Sequence, residues 1–165
     1  MRRKDREMDM DFARMVLDKC EYAVLGMVGP EGWPYSVPVT IVRDGEELYF
    51  HCALEGQKVE CLRRDGRVCV TAVGDTHIPP DKFTTEYESA VAFGLAEEVT
   101  DPAEKTHALE LLCRRHVPTN MDQFEVSMAR SLDRTGVWRV RITGLTGKRK
   151  KYDKTGKEMK FGRME

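Results

Sequence analysis

The residues best placed to do chemistry lie at one joint. Gly56, Gln57 and Lys58 follow directly on the alternating run of residues 48–53, in which Leu48, Phe50 and Cys52 point one way and Tyr49, His51 and Ala53 the other. That alternation is a strand. From Gln57 onward Val59, Leu62 and the stem of Arg63 share a helical face, and Asp65-Gly66 stops the helix. A strand therefore ends, the backbone turns at Gly56, and a helix begins with Lys58 in its first turn. Free N–H groups, the positive end of the helix dipole and an ammonium converge there, which suits an anion and above all a phosphate. His51 sits on the more polar strand face and reads either as a general acid or base or as a structural histidine. Cys113 and His116 form a C-x-x-H pair on a helix, but a metal would need two further ligands and none is near in sequence.

The totals restrict what this chemistry can serve. The chain has 165 residues, 33% charged and 41% hydrophobic, with a formal net charge of −1. This is an ordinary globular composition, long enough for one domain with its own core. The charge is uneven, with eight Lys/Arg against three Asp/Glu from Gly147 to Glu165. That tail could meet nucleic acid, but no aromatic stacking platform accompanies it, so a nucleic-acid partner is not expected. No run of 18 apolar residues suggests a membrane span, and the charged opening from Arg2 is not a secretory signal. The five cysteines are scattered, with no C-x-x-C, and read as reduced thiols of a cytoplasmic protein. No G-x-S-x-G or G-x-G-x-x-G motif occurs, which leaves a nucleophile-elbow hydrolase and a classical dinucleotide fold without support.

The elements that must position the joint follow from period and punctuation. Residues 5–19 carry Phe12, Met15, Val16 and Lys19 at helical spacing. Residues 22–28 are a nearly continuous apolar run, expected as a buried strand. Residues 35–42 alternate, with Tyr35, Val37, Val39 and Ile41 on one face. Pro38 cannot donate to a ladder, so this strand is an edge or is open there, either as a plain edge or with backbone groups left for a planar ligand. Asp44-Gly45 signals a hairpin into the central strand. Further strands are expected at 67–73, at 87–99 with a bend or bulge at Gly94, and at 135–146; 74–85 reads as a loop. Ala90, Ala92, Gly94 and Ala96 form a face of small residues that suits close approach of another layer and, by extension, a dimer. Asp101-Pro102-Ala103-Glu104 starts a helix that ends before Pro118, and a short helix covers 121–129. Six strands joined mainly by hairpins, with helices between them, indicate a mainly β fold, an antiparallel barrel with flanking helices. The barrel domain spans residues 1–147, and 148–165 form a basic, loosely held C-terminal tail.

The run from Phe50 to Lys58 resembles the F-H-x-A-x-x-G-x-K segment of flavin-binding split-barrel proteins. More narrowly, it is similar to the pyridoxamine 5'-phosphate oxidase-related branch that includes the nitroimidazole-resistance (Nim) proteins. The opening Met1-Arg2-Arg3-Lys4-Asp5-Arg6-Glu7, the segment Tyr35-Ser36-Val37-Pro38-Val39, the segment Tyr87-Glu88-Ser89-Ala90-Val91 and the long strand with Trp138 look like that branch too. The resemblance covers roughly the whole chain.

It implies a six-stranded FMN-binding split barrel, a homodimer with flavin at the subunit interface, and flavin-dependent oxidoreduction. Lys58, with the amides near Gly56 and Gln57, would hold the 5′-phosphate. Ser36, Val37, Pro38 and Val39 would run along the isoalloxazine, and His51, Cys52 and Ala53 would line the cleft. Tyr87 and Trp138 would offer flat faces from the second subunit. The substrate would be a small molecule, a nitro-aromatic reduced to an amine in the Nim branch, and no residue reads as a dedicated catalytic acid or base. The rival reading is a non-catalytic protein on the same barrel that stores or senses FMN or haem, with His51 or His116 as axial haem ligand.

Overall fold

The structure, a computed structural model, describes residues 2–161. Its elements in chain order are β1 (Glu7–Met8), α1 (Met10–Lys19), β2 (Ala23–Val28), β3 (Pro34–Val39), β4 (Val42–Asp44), β5 (Glu47–Cys52), α2 (Gln57–Arg64), β6 (Arg67–His77), β7 (Glu86–Glu98), α3 (Pro102–His116), α4 (Phe124–Ser131) and β8 (Gly136–Lys150), with short 3-10 turns between some of them. The strands form one antiparallel sheet in the order β3-β2-β6-β7-β8-β5-β4, and β1 pairs with β8. The two edge strands, β3 and β4, are separated in the chain by Thr40 and Ile41 alone. So short a link between opposite edges requires the sheet to wrap round on itself, and the result is an open, split barrel of eight strands rather than the six expected.

Pro38 stands on the outer edge strand and pairs only with Val24 of β2, which explains how a proline is tolerated there. Gly45 takes φ 58° between the paired residues Asp44 and Glu47, so the hairpin turn falls on Gly45-Glu46. The bulge expected at Gly94 is present as a register shift between Phe93 and Gly94 against β8. A Cβ at Gly94 would lie 2.4 Å from Arg141 O, so the strands meet where a side chain cannot fit.

The first helix begins later than its pattern suggests. Asp9 caps α1 by accepting from the Phe12 N–H at 2.8 Å. Residues upstream are taken by the barrel instead: Glu7 and Met8 pair with Lys148 and Gly147. The buried face of α1 puts Ala13, Val16 and Leu17 in one core cluster with Leu25, Phe50, Val70, Ala90, Ala92 and Val140 of the barrel. The small-residue face of β7 thus receives this chain's own helix. Residues 23–28 are half-buried as a strand, with Ala23, Leu25 and Met27 inward and Val24 38% exposed.

A second core lies outside β5, where Tyr49 and Val137 pack against Leu109, Leu112 and Phe124 of the α3–α4 cap. Asp101 caps α3 through the Glu104 N–H at 2.8 Å. The Tyr49 hydroxyl donates towards Glu47 Oε2 at 2.9 Å and Glu104 Oε1 at 3.1 Å. Burial and these two carboxylates push its pKa above the usual phenol range. Met121–Gln123 fall in a 3-10 turn, so α4 starts at Phe124.

The C-terminal stretch is tied down rather than loose. β8 runs to Lys150, which is 8% exposed and bonds the Thr84 hydroxyl. β6 also continues through 74–77, with a register shift after Val73, where a loop was expected. Beyond β8, Glu158 pairs with Arg6 at 2.7 Å, Lys160 pairs with buried Asp5 at 2.7 Å, and the Phe161 N–H donates to Asp5 O. The end of the expected tail, 162–165, lies outside the described residues, as does Met1. No helix among the described residues is long and apolar enough to cross a membrane.

Candidate functional site

The strand-to-helix joint exists as the spacing requires. β5 ends at Cys52, and Gly56 is the N-cap of α2 with φ 119°, ψ 168°. A Cβ there would meet nothing within 4 Å, so it is the backbone angle, not space, that calls for glycine. No side chain caps the first amides of α2. They remain available to an outside anion, with the helix dipole adding to the attraction.

In front of this helix end lies a pocket of about 260 Å³ lined by Tyr35, Val37, Cys52, Ala53, Glu55, Gly56, Gln57, Lys58 and Val59. The Lys58 ammonium stands 5.7 Å from the centre of the Phe50 ring, which holds the stem over an apolar floor. Glu55 also borders the pocket but is exposed to solvent, where water screens its charge. Burial raises the pKa of the Cys52 thiol, opposed first by the Lys58 ammonium. The indole N–H of buried Trp138 approaches this sulfur without a sound hydrogen bond, and no other partner for it exists among the described residues. A phosphate at the amides and Lys58, with a ring over Tyr35 and Val37, fits the donors and surfaces present.

The structure gathers Val37, Cys52, Ala53, Gly56, Gln57 and Lys58 into this one pocket. Tyr35, Glu55 and Val59 join them; the alternation that put Tyr35 on the same face as Val37 was the signal for it. Val39 points the same way but is buried in the core. Ser36 and Pro38 face the other side of β3, where Ser36 borders an open groove with Gly26, Pro34, Cys69 and Phe93. His51 leaves β5 on the side opposite Cys52 and enters a separate pocket with His116 under α3 and α4. Tyr87 lies at the far end of β7, paired with Thr76 and Lys150, with Lys148 over its ring at 5.8 Å. Trp138 is 2% exposed, packed in this chain's own core beside Phe50, so it has no flat face to present to another subunit. Among the described residues no three His, Cys, Asp or Glu side chains come close enough to hold a metal ion.

The fold recurs in solved structures. One is a protein assigned to 5-nitroimidazole antibiotic resistance from Bacteroides thetaiotaomicron, at 25% identity over 86% of this chain and 85% of that one, TM-score 0.71. Another is the FAD and heme binding protein from Mycobacterium smegmatis, at 20% identity over 88% and 73%, TM-score 0.76. A third is a flavocytochrome from Azotobacter vinelandii, at 19% identity over 94% and 79%, TM-score 0.72. No curated protein sequence matches the chain. Residues 11–149 match the family model described as pyridoxamine 5'-phosphate oxidase. With that match over most of its length and the same split barrel in its structure, the chain belongs to the pyridoxamine 5'-phosphate oxidase family.

Proposed function

We propose that this protein is a homodimeric, FMN-dependent oxidoreductase acting on a small nitro-aromatic molecule. The observation that carries the reading is the uncapped N-terminus of α2, with Lys58 in its first turn, opening onto the pocket floored by Tyr35, Val37 and Cys52. Flavin binding is suggested by the Mycobacterium and Azotobacter relatives, and the nitro-aromatic substrate by the Bacteroides protein. Lys58 and the amides of Gln57 and Lys58 hold the phosphate, while Tyr35, Val37 and Ala53 hold the ring system and keep water from it. When bound, the flavin supplies electron or hydride transfer through its N5. A phosphate anchored at a helix end suits FMN, whose single phosphate would sit there.

The second subunit is expected on the outer face of the sheet. Val24, Val73, Phe93 and Leu95 are 38–54% exposed there, on β2, β6 and β7, next to the groove that Ser36 borders. So much exposed apolar surface on three adjacent strands suits a second copy of the chain.

Incubating the purified chain with FMN, FAD or riboflavin tests the reading by fluorescence quenching and by the absorption of the retained ligand. Tight FMN retention and nitro-aromatic turnover with a reduced nicotinamide donor are expected. A chain that quenches none of the three flavins would end this reading.

The haem reading draws on the Mycobacterium and Azotobacter relatives and on the two imidazoles of the second pocket. Nε2 of His116 is engaged by Ile41 O at 2.9 Å, which leaves only Nδ1, crowded by its own Cβ. Haem would therefore need His51, and a Soret band lost in His51→Ala is the result that would favour it.

A further inference from the structure

We propose that the pocket between β5 and the α3–α4 cap is a second binding site, separate from the flavin pocket, for an uncharged aromatic molecule that carries an N–H or O–H donor. The cavity holds about 340 Å³, while an apolar cavity of about 150 Å³ already takes benzene. Leu109, Leu112, Val117 and Met128 form apolar walls, and no Asp, Glu, Lys or Arg lines it. Arg115, next in sequence to His116, turns its guanidinium to the carbonyls of Leu17, Cys20 and Ile41, so its charge is already engaged.

Three of the polar groups that remain can only accept. Ile41 O can only accept, so Nε2 of His116 carries the hydrogen, and in the neutral ring Nδ1 is a bare lone pair. Ser131 donates its hydroxyl hydrogen to Ser127 O at 2.8 Å, and Thr135 donates to Ser131 O at 2.8 Å. Both oxygens are left with lone pairs only. Burial, then the Lys58 ammonium and His116, hold the His51 imidazole below its usual value, and burial keeps the Cys113 thiol protonated. The thiol, a weak donor, the Thr40 hydroxyl and the one N–H of the neutral His51 ring are the donors left over. Once a ring covers these acceptors, one left without a donor is costly, so a ring bearing N–H or O–H is selected over one bearing only acceptors, and an ion is rejected. His51 and Cys52 point to opposite sides of β5, so the two pockets share a strand and no lining residue.

Matched probes on the full chain test this: phenol and aniline as donors, toluene and nitrobenzene without one, and benzoate as an ion. Binding is followed by the methyl signal of Met128 and the ring signals of His116, with FMN quenching recorded in the same samples. Phenol and aniline should shift both signals and bind about fivefold or more tighter than toluene and nitrobenzene, and benzoate should not bind. His116→Phe should remove most of the preference for phenol over toluene while toluene still binds. Met128→Trp should fill the pocket and abolish binding of both, with FMN quenching unchanged. Equal binding of phenol and toluene to the parent protein would overturn the donor argument. Shifts that spare Met128 and His116, or that survive Met128→Trp, would overturn the site. Failure of FMN quenching in the parent would count against the flavin reading alone.

Discussion

Lys58 is the side chain on which cofactor affinity should turn. It stands in the first turn of α2, whose amides are uncapped, and lines the pocket they open on, and only a ligand with a phosphate uses it fully. Lys58→Ala should weaken FMN binding by roughly ten- to a hundred-fold, since a charge-assisted contact contributes ~1.5–3 kcal/mol. Riboflavin should lose far less, and titration of both flavins against both proteins checks this. His51 gives a pH signature instead. Its folded pKa lies below the ordinary 6.5, through loss of hydration first and then the Lys58 ammonium, although the side chain still meets solvent. The unfolded chain therefore takes up a proton that the folded one resists, and stability falls as pH drops through the unfolded value. Above that value the effect vanishes. Urea denaturation at about pH 7.5 and about pH 5.5 should show a smaller acid loss in His51→Gln than in the parent.

Among the elements, the β7–β8 pair and the last strand carry the strongest constraints. A Cβ at Gly94 would lie 2.4 Å from Arg141 O and 2.8 Å from Val140 Cγ1, in the middle of the sheet. Gly94→Ala should cost ~1–3 kcal/mol in chemical denaturation, as overpacking does where backbone cannot yield. The stretch after β8 should matter as well. Ending the chain after Lys150 takes Lys160 from buried Asp5, Glu158 from Arg6, and Phe161 from the Arg149 guanidinium 5.2 Å from its ring. The truncated protein should fold but melt at a lower temperature, and the difference should shrink in high salt, which already weakens those pairs. An unchanged melting temperature would mean that the segment rests on the barrel without holding it.

For the whole molecule the decisive surface is the outer face of the sheet. The inner face of β7 is filled by α1, which leaves Phe93, 54% exposed, and Leu95, 40% exposed, as the apolar contribution of β7 to the outside. If a second copy covers them, Phe93→Asp should convert the dimer into a monomer in sedimentation at micromolar concentration. Flavin affinity should fall with it if the partner completes the site. A parent protein that sediments as a monomer while binding FMN would remove the shared site from the proposal.

What the sequence determined on its own is local. The β5–Gly56–α2 joint, the Asp101 cap, the edge position of Pro38 and the bulge at Gly94 rest on a period, a backbone angle, a missing N–H or a missing Cβ. Each of these acts within a few residues, so each was legible before any fold was known. What tertiary structure decided is which side of each strand faces inward. An alternating strand has two faces, and nothing within β7 says which one α1 will cover; Ala90 and Ala92 went inside and Phe93 outside because helix and barrel pack closely only where side chains are small. The same choice at β5 sent Cys52 to the pocket proposed for flavin and His51 to the α3–α4 pocket. Lys160 and Asp5 are 155 residues apart, so the order of the C-terminal segment depends on the chain's two ends being brought together, which no local pattern encodes.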